Sequence, residues 1–299
     1  MQTQNPVTNM KFAFVAVTAM LLALPVHARA KKIVFVAGNP SHGPAQHEHR
    51  AGCLLLQSCL DSAGEFQTMV YSNGWPKNPD AFKGADSIVL YMDGGPGHPG
   101  LQDDHLSVLS DLMKKKTGLV CLHYATEPTK DKGEKEFLQW IGGCFEVDWS
   151  VNPHWDADFS QLPKHPVTRG AHPFKITDEW YFHMRFVDGM KGVTPILTAV
   201  APAATMNRGE GAHEGNPAVK EAVKNQEPQH VAWAYEQPSG GRGFGFTGGH
   251  FHRNWGNDDF RKVVLNAIAW TAHANIPKNG ISSKVSPEQL QQNLDSKGK

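Results

Sequence analysis

The chain reads as a doubly wound α/β protein with a mostly parallel sheet and an added aromatic, β-rich insertion, and three observations predict it. Short apolar runs alternate with helical patterns through the first 120 residues, which is the signature of βαβ units. Three histidine-bearing segments, Ser41 to His49, Leu122 to Pro128 and Gly248 to Trp255, each follow such a run and precede a helical pattern. Open α/β sheets gather their ligand sites at the carboxyl ends of the strands, so these segments predict a His-lined pocket at one sheet edge. Finally, the pattern turns irregular and rich in Trp, Pro, Asp and His after Glu127.

In chain order, Lys31 to Gly38 predicts a first strand, followed by a polar loop to Arg50 and a helix over Ala51 to Ala63. Phe66 to Tyr71 and Asp86 to Gly95 predict two further strands, the latter running into a glycine-rich loop, with a turn at Pro79 to Lys83 between them. Leu101 to Lys116 has helical periodicity and a lysine-rich end that suits the helix dipole. Thr117 to Tyr124 gives a fourth strand. Phe145 to Val187 is expected to add strands and loops over the pocket, without forming a second domain. Pro195 to Val200, His230 to Tyr235 and Gly243 to Thr247 predict the last strands. Asp258 to Ala274 is the closing helix, with Phe260, Val263, Val264, Ala267, Ile268 and Trp270 or Thr271 on its buried side.

With 299 residues, no net formal charge and 40% hydrophobic content, the chain suits one domain with a sizeable core and gives no electrostatic footprint for nucleic acid. Residues 1–30 differ in kind. Lys11, the apolar run Phe12 to Val26 and the small-residue site Ala28-Arg29-Ala30 predict a secretory signal, a mature chain from Lys31, and a periplasmic or extracellular location. An uncleaved anchor is the alternative, but an apolar run of about 15 residues falls short of the roughly 20 that span a bilayer. Residues 31–275 then form the domain, and the Lys-, Ser- and Gln-rich residues 276–299 are expected to be a mobile tail. The four cysteines, Cys53, Cys59, Cys121 and Cys144, are too few for a disulfide scaffold and read as buried thiols.

Among the sixteen histidines, His123 is the strongest candidate because it directly follows an apolar strand, although a buried strand-capping histidine has the same pattern. His250 and His252 follow the last strand at a spacing that sends their rings to opposite sides, so one faces the pocket unless the double glycine before His250 bends the loop. His42 and His47 lie in the first loop. They could join His123 and His250 around a divalent metal, but no spacing demands one and the HExxH signature is absent. Strand alternation in Ile176 to Phe186 would put Glu179, Tyr181, His183 and Arg185 on one face, able to bind a polyhydroxylated ligand or equally to be a solvated edge.

Taken together, LHYATEP, the segment His165 to Phe186 and the block Gly240 to Trp270, with the His42 loop, resemble the ThuA-like (trehalose utilisation) family over roughly Ile33 to Ala272. The resemblance implies a fold similar to flavodoxin and the class I glutamine amidotransferases, and a role in carbohydrate metabolism through 3-keto-sugar intermediates. Glutaminase activity is not implied. Where amidotransferases carry a cysteine elbow, this chain has Cys121-Leu122-His123-Tyr124-Ala125, with histidine at the turn and Cys121 on the strand. The implied substrate is a small carbohydrate, a (3-keto-)glycoside or disaccharide, with His123, His250 and Glu179 in catalytic roles. His42, His47, Tyr124, His183, His252, Arg253 and Trp155 would line the pocket. Isomerisation, elimination and hydrolysis all fit, as does a non-catalytic carbohydrate-binding module. A two-carboxylate glycosidase is less favoured, with Glu127, Asp156, Asp158 and Glu179 as its only suggestive acids. No partner protein, membrane or oligomeric state is specified.

Overall fold

A computed structural model describes residues 1–4 and 29–297; the predicted signal, apart from its ends, lies outside the described residues. Strands and helices alternate first as β1 (Lys31–Ala37), α1 (His49–Ala63), β2 (Phe66–Tyr71), β3 (Ser87–Tyr91), α2 (His105–Lys114) and β4 (Gly118–Leu122). Next come α3 (Glu134–Ile141), β5 (Gly143–Cys144), β6 (His154–Phe159), β7 (Phe174–Glu179), β8 (Arg185–Phe186), β9 (Val193–Val200) and α4 (Pro217–Lys224). The chain closes with β10 (Pro228–Glu236), β11 (Arg242–Phe246), α5 (Asp258–Thr271) and α6 (Pro287–Leu290).

Seven strands form one sheet in the order β2-β1-β3-β4-β11-β10-β9. The first five are parallel, whereas β10 is antiparallel to both β11 and β9. The parallel strands read as unbroken apolar runs because both faces are covered. In β1, Ile33, Phe35 and Ala37 enter the core layer shared with α1 and α5, while Val34 and Val36 enter the opposite layer with Leu109 of α2 and Phe137 of α3. Strand order reverses between β1 and β3, so the crevice beyond their carboxyl ends is the switch point at which such sheets bind ligands.

Three helices, α3, α4 and the short α6 of the tail, fall in stretches where the sequence reading placed none. The α3 segment buries Phe137, Trp140 and Ile141, an i, i+3, i+4 set. At α4, Asn216 caps the Val219 amide ahead of Pro217. The insertion contributes the antiparallel β6–β7 hairpin and the two-residue β5–β8 pair.

The tail differs from the mobile segment expected. Ile276 and Ile281 are core residues, Arg261 of α5 donates to Ser283 Oγ at 2.9 Å, and Ile281 N donates to Asn266 Oδ1 at 2.8 Å. Few apolar residues suffice because the tail satisfies buried polar groups of α5, which is consequently covered nearly all round, with Arg261 and Asn266 both fully buried. Among the described residues no helix is long and apolar enough to cross a membrane. All four cysteines are free and buried.

Candidate functional site

Loops from four strands converge over the switch point. His47 comes from the loop after β1, Asp93 follows β3, His123 follows β4, His250 follows β11, and Glu179 ends β7 of the insertion. His47, His123 and His250 are buried, with Glu179 partly so. His42, His47 and His123 all adopt left-handed backbone angles, with φ of 59°, 45° and 55°. Strain of this kind persists only where surrounding contacts hold it, and it clusters at functional sites.

Two of the rings have their protons fixed by partners that only accept. His123 Nδ1 donates to Thr247 O at 2.7 Å, and His47 Nδ1 donates to Asp93 Oδ1 at 3.0 Å. In the neutral rings both Nε2 atoms are therefore lone pairs, and they lie 3.0 Å apart. His250 Nδ1 is 3.0 Å from His47 Nε2, and Glu179 Oε2 is 3.0 Å from His250 Nδ1 and 3.4 Å from His123 Nε2. A tetrahedron with arms of about 2.0–2.1 Å, the length of zinc–imidazole and zinc–carboxylate bonds, has edges of about 3.3 Å. Four of the six separations among these three imidazole nitrogens and one carboxylate oxygen thus lie near that edge, and all lie within 4.8 Å, within reach of a single cation. His42, His47 and Asp93 form a second group of donor atoms within the same reach.

The charges are unevenly shared. Burial would raise the Glu179 carboxyl, but the His123 and His250 rings against it hold it well below the usual carboxylate range. Burial would likewise lower His123, yet the hydrogen bond and charge of Glu179 raise it. His47 is pushed down by burial and then by the neighbouring imidazoles His123, His42 and His49.

Asp178 organises the last loop. Fully buried, it accepts from Gly249 N at 2.7 Å, His250 N at 3.1 Å and Asn254 Nδ2 at 2.9 Å. Gly249 sits at φ 108°, a conformation that favours glycine, which is the bend that aims His250 inward. Because side chains alternate along β7, Asp178 holds this loop while Glu179 turns into the cluster.

Several candidate residues lie elsewhere. The expected alternation from Glu179 to Arg185 fails because β7 ends at Glu179 and His183 takes a φ of 56°. Tyr181 OH reaches His123 Nε2 at 3.2 Å, but the His183 ring stacks on Trp149 at 4.2 Å and Arg185 pairs with Glu146. His252 is buried on the far side of its loop, while Arg253 lies over the Phe251 ring. His42 stacks on His47 at 3.5 Å and, with Tyr124, stands at the rim. Trp155 is a core residue whose indole donates to Trp180 O at 2.9 Å.

Beside Glu179 opens a cavity of about 580 Å³, lined by Asn152, His154, the edge of Trp155, Asp156, Thr205 and Arg208. Its volume falls in the range of small-molecule sites. His154, paired across the hairpin with Glu179, lies 3.7 Å from Glu179 Oε1. The sequence gives Asp93 and His154 no place in the site, and it puts Asp178 only in the polar group with Glu179, His183 and Arg185. Asp93 carried a usable signal, being a carboxylate just past a strand's carboxyl end. The other two become legible only once β6 and β7 are paired.

A model of the ThuA family, described by trehalose utilisation, matches residues 33–271. A ThuA-like protein from Bacteroides uniformis superposes with a TM-score of 0.59 at 14% identity, covering 84% of this chain and 94% of its own. A second, from Parabacteroides merdae, gives 0.57 at 15% identity, covering 86% and 93%. Both likenesses are of fold. No curated protein matches the chain.

Proposed function

Starting from the fact that this chain belongs to the ThuA (trehalose utilisation) family, which suggests carbohydrate metabolism, we propose that it is a divalent-metal enzyme acting on a 3-keto-glycoside. The observation that carries this reading is the convergence of His47 Nε2, His123 Nε2, His250 Nδ1 and Glu179 Oε2 within 4.8 Å. Two of those nitrogens are lone pairs held face to face, an arrangement that a cation relieves.

Imidazole and carboxylate donors suit first-row divalent ions. When bound, such an ion would polarise a substrate carbonyl oxygen and offset the charge of an enolate. The chain's own residues supply the rest. Asp93 and Thr247 orient the two rings, as partners of metal-bound histidines do. The adjoining cavity is large enough for a small glycoside and carries polar groups for its hydroxyls. A 3-keto group acidifies the neighbouring C2 hydrogen, so a neutral imidazole at the mouth can remove it. His154 lines the cavity and His42 stacks on His47 beside it, and burial lowers both. Loss of the C1 substituent then follows by β-elimination.

The test is elemental analysis of protein purified without chelator or His-tag, together with turnover of a panel of 3-keto-disaccharides before and after chelation. Near-stoichiometric metal with metal-dependent turnover supports the reading. Binding without turnover would move the chain to the carbohydrate-binding module, and neither metal nor binding would sink both. From the leader-like residues 11–30 we propose further that the chain works after export, which recovery of a polypeptide starting near Lys31 outside the cytoplasm would check.

A further inference from the structure

A second pair of ionisable groups lies beside the cluster, joined to His123 through Phe145 and Tyr181, and takes no part in it. Glu127, 1% exposed, lies in the turn after β4, where its backbone closes against Tyr124 O at 3.0 Å and receives Gly95 N at 2.9 Å. This depth requires glycine at position 94, where a Cβ would meet Tyr124 O at 2.2 Å and Glu127 Cβ at 2.9 Å. Both Glu127 oxygens lie 3.0 Å from His213 Nε2.

His213 comes from the excursion between β9 and α4, which also carries Thr205 and Arg208 of the cavity wall. Its ring stacks on Phe145 at 5.1 Å; Phe145 in turn meets Tyr181, whose hydroxyl contacts His123. The imidazole is about one-third exposed, and its Nδ1 makes no hydrogen bond among the described residues. A buried carboxylate fixing one ring nitrogen and leaving the other open is the arrangement of an oriented acid–base histidine.

We infer that His213, oriented by Glu127, is the general acid that protonates the departing C1 oxygen. The inference rests on the elimination reading above. In that step the C2–H bond breaks and its proton passes to the base. The electron pair becomes the C1=C2 bond of an enone, the C1–O bond breaks with its own pair, and that oxygen takes a proton from His213. One proton is taken up and one given, so no oxidant or reductant is needed. The other charged groups facing the ring are Glu179 and Asp148, and with Glu127 they favour its protonated form.

The experiment compares wild type, H213Q, H213G and E127Q on 3-keto-glucosides whose leaving group is either a nitrophenol or a sugar alcohol. An acid is needed only for the poor leaving group. The inference expects H213Q to lose ~100-fold or more in kcat on the sugar alcohol and only a few-fold on the nitrophenol, with unchanged metal content. Added imidazole should restore H213G. E127Q, in which the positioning carboxylate is neutral, should move the alkaline limb of the pH profile to lower pH. Equal losses on both leaving groups, no loss, or no imidazole rescue in an active enzyme would overturn the acid role alone. A metal-loaded wild type inactive on both substrates would overturn the elimination reading together with it.

Discussion

The Nε2 atoms of His47 and His123 face each other at 3.0 Å while each ring's Nδ1 is committed to an acceptor, Asp93 in one case and Thr247 in the other. Neither ring can turn its lone pair away without breaking a buried hydrogen bond. The pair is therefore held ready for something positive between them, either a proton or a metal ion.

Metal should consequently stabilise the native chain. At a free concentration of about 100 times its Kd, a native-state ligand contributes ~2.7 kcal/mol, and a domain of this size shifts by ~2–4 °C per kcal/mol. Chelation is expected to lower Tm by about 5–10 °C. His250→Ala should lower the starting Tm and make it insensitive to chelator, as thermal melts with and without added zinc or manganese would show.

Asp178 should matter out of proportion to its distance from the chemistry. Asp178→Ala strands the amides of Gly249 and His250 in a buried loop, and unsatisfied donors there cost at least ~2 kcal/mol. Denaturant unfolding should register that loss. Metal titration should show weaker binding as well, since His250 loses the backbone that aims it.

His98 offers a pH dependence outside the cluster. Burial holds it down at about 4, below the ordinary histidine value near 6.5. Between those values the unfolded chain binds the extra proton. Stability is therefore full above about pH 6.5 and falls as the pH drops toward the native value of about 4. The difference corresponds to ~3 kcal/mol for this group. Unfolding curves at pH 7 and pH 5 should converge for His98→Asn relative to wild type. An unchanged slope would show that the ring titrates freely in the native state.

The tail buttresses the first loop. Lys297 Nζ lies 3.2 Å from Glu48 Oε1, both side chains being buried, and it also donates to the His47 carbonyl at 3.3 Å. Lys297→Ala leaves a buried carboxylate unpaired, which costs about 3–5 kcal/mol. The double variant Lys297→Met, Glu48→Gln should recover most of that in denaturant melts.

The parallel strands and the three histidine loops were legible because their signals are local, an apolar run and then a polar break at the strand end. Glu179 was grouped with His123 and His250 through the family resemblance, and no local pattern gave its contact with His250. Its place depends on a hairpin whose register pairs it with His154, and alternation alone carried the pattern too far, to His183 and Arg185. His213 gave no signal, because an irregular excursion has no period from which to infer where a ring points. The tail was misjudged by composition, since what fixes it is the unsatisfied polar surface of α5 and not apolar content of its own.

The donor atoms come from positions far apart in the chain, His47 and His123 being 76 residues apart and His47 and His250 being 203 apart. The four-donor set is complete only once His250 has been made, near the end of synthesis, and Glu179 comes on a hairpin from the insertion. For a centre of the kind proposed, the compartment in which the chain finishes folding would therefore decide which ions compete for it, making cation choice a matter of place and timing as much as of donor chemistry.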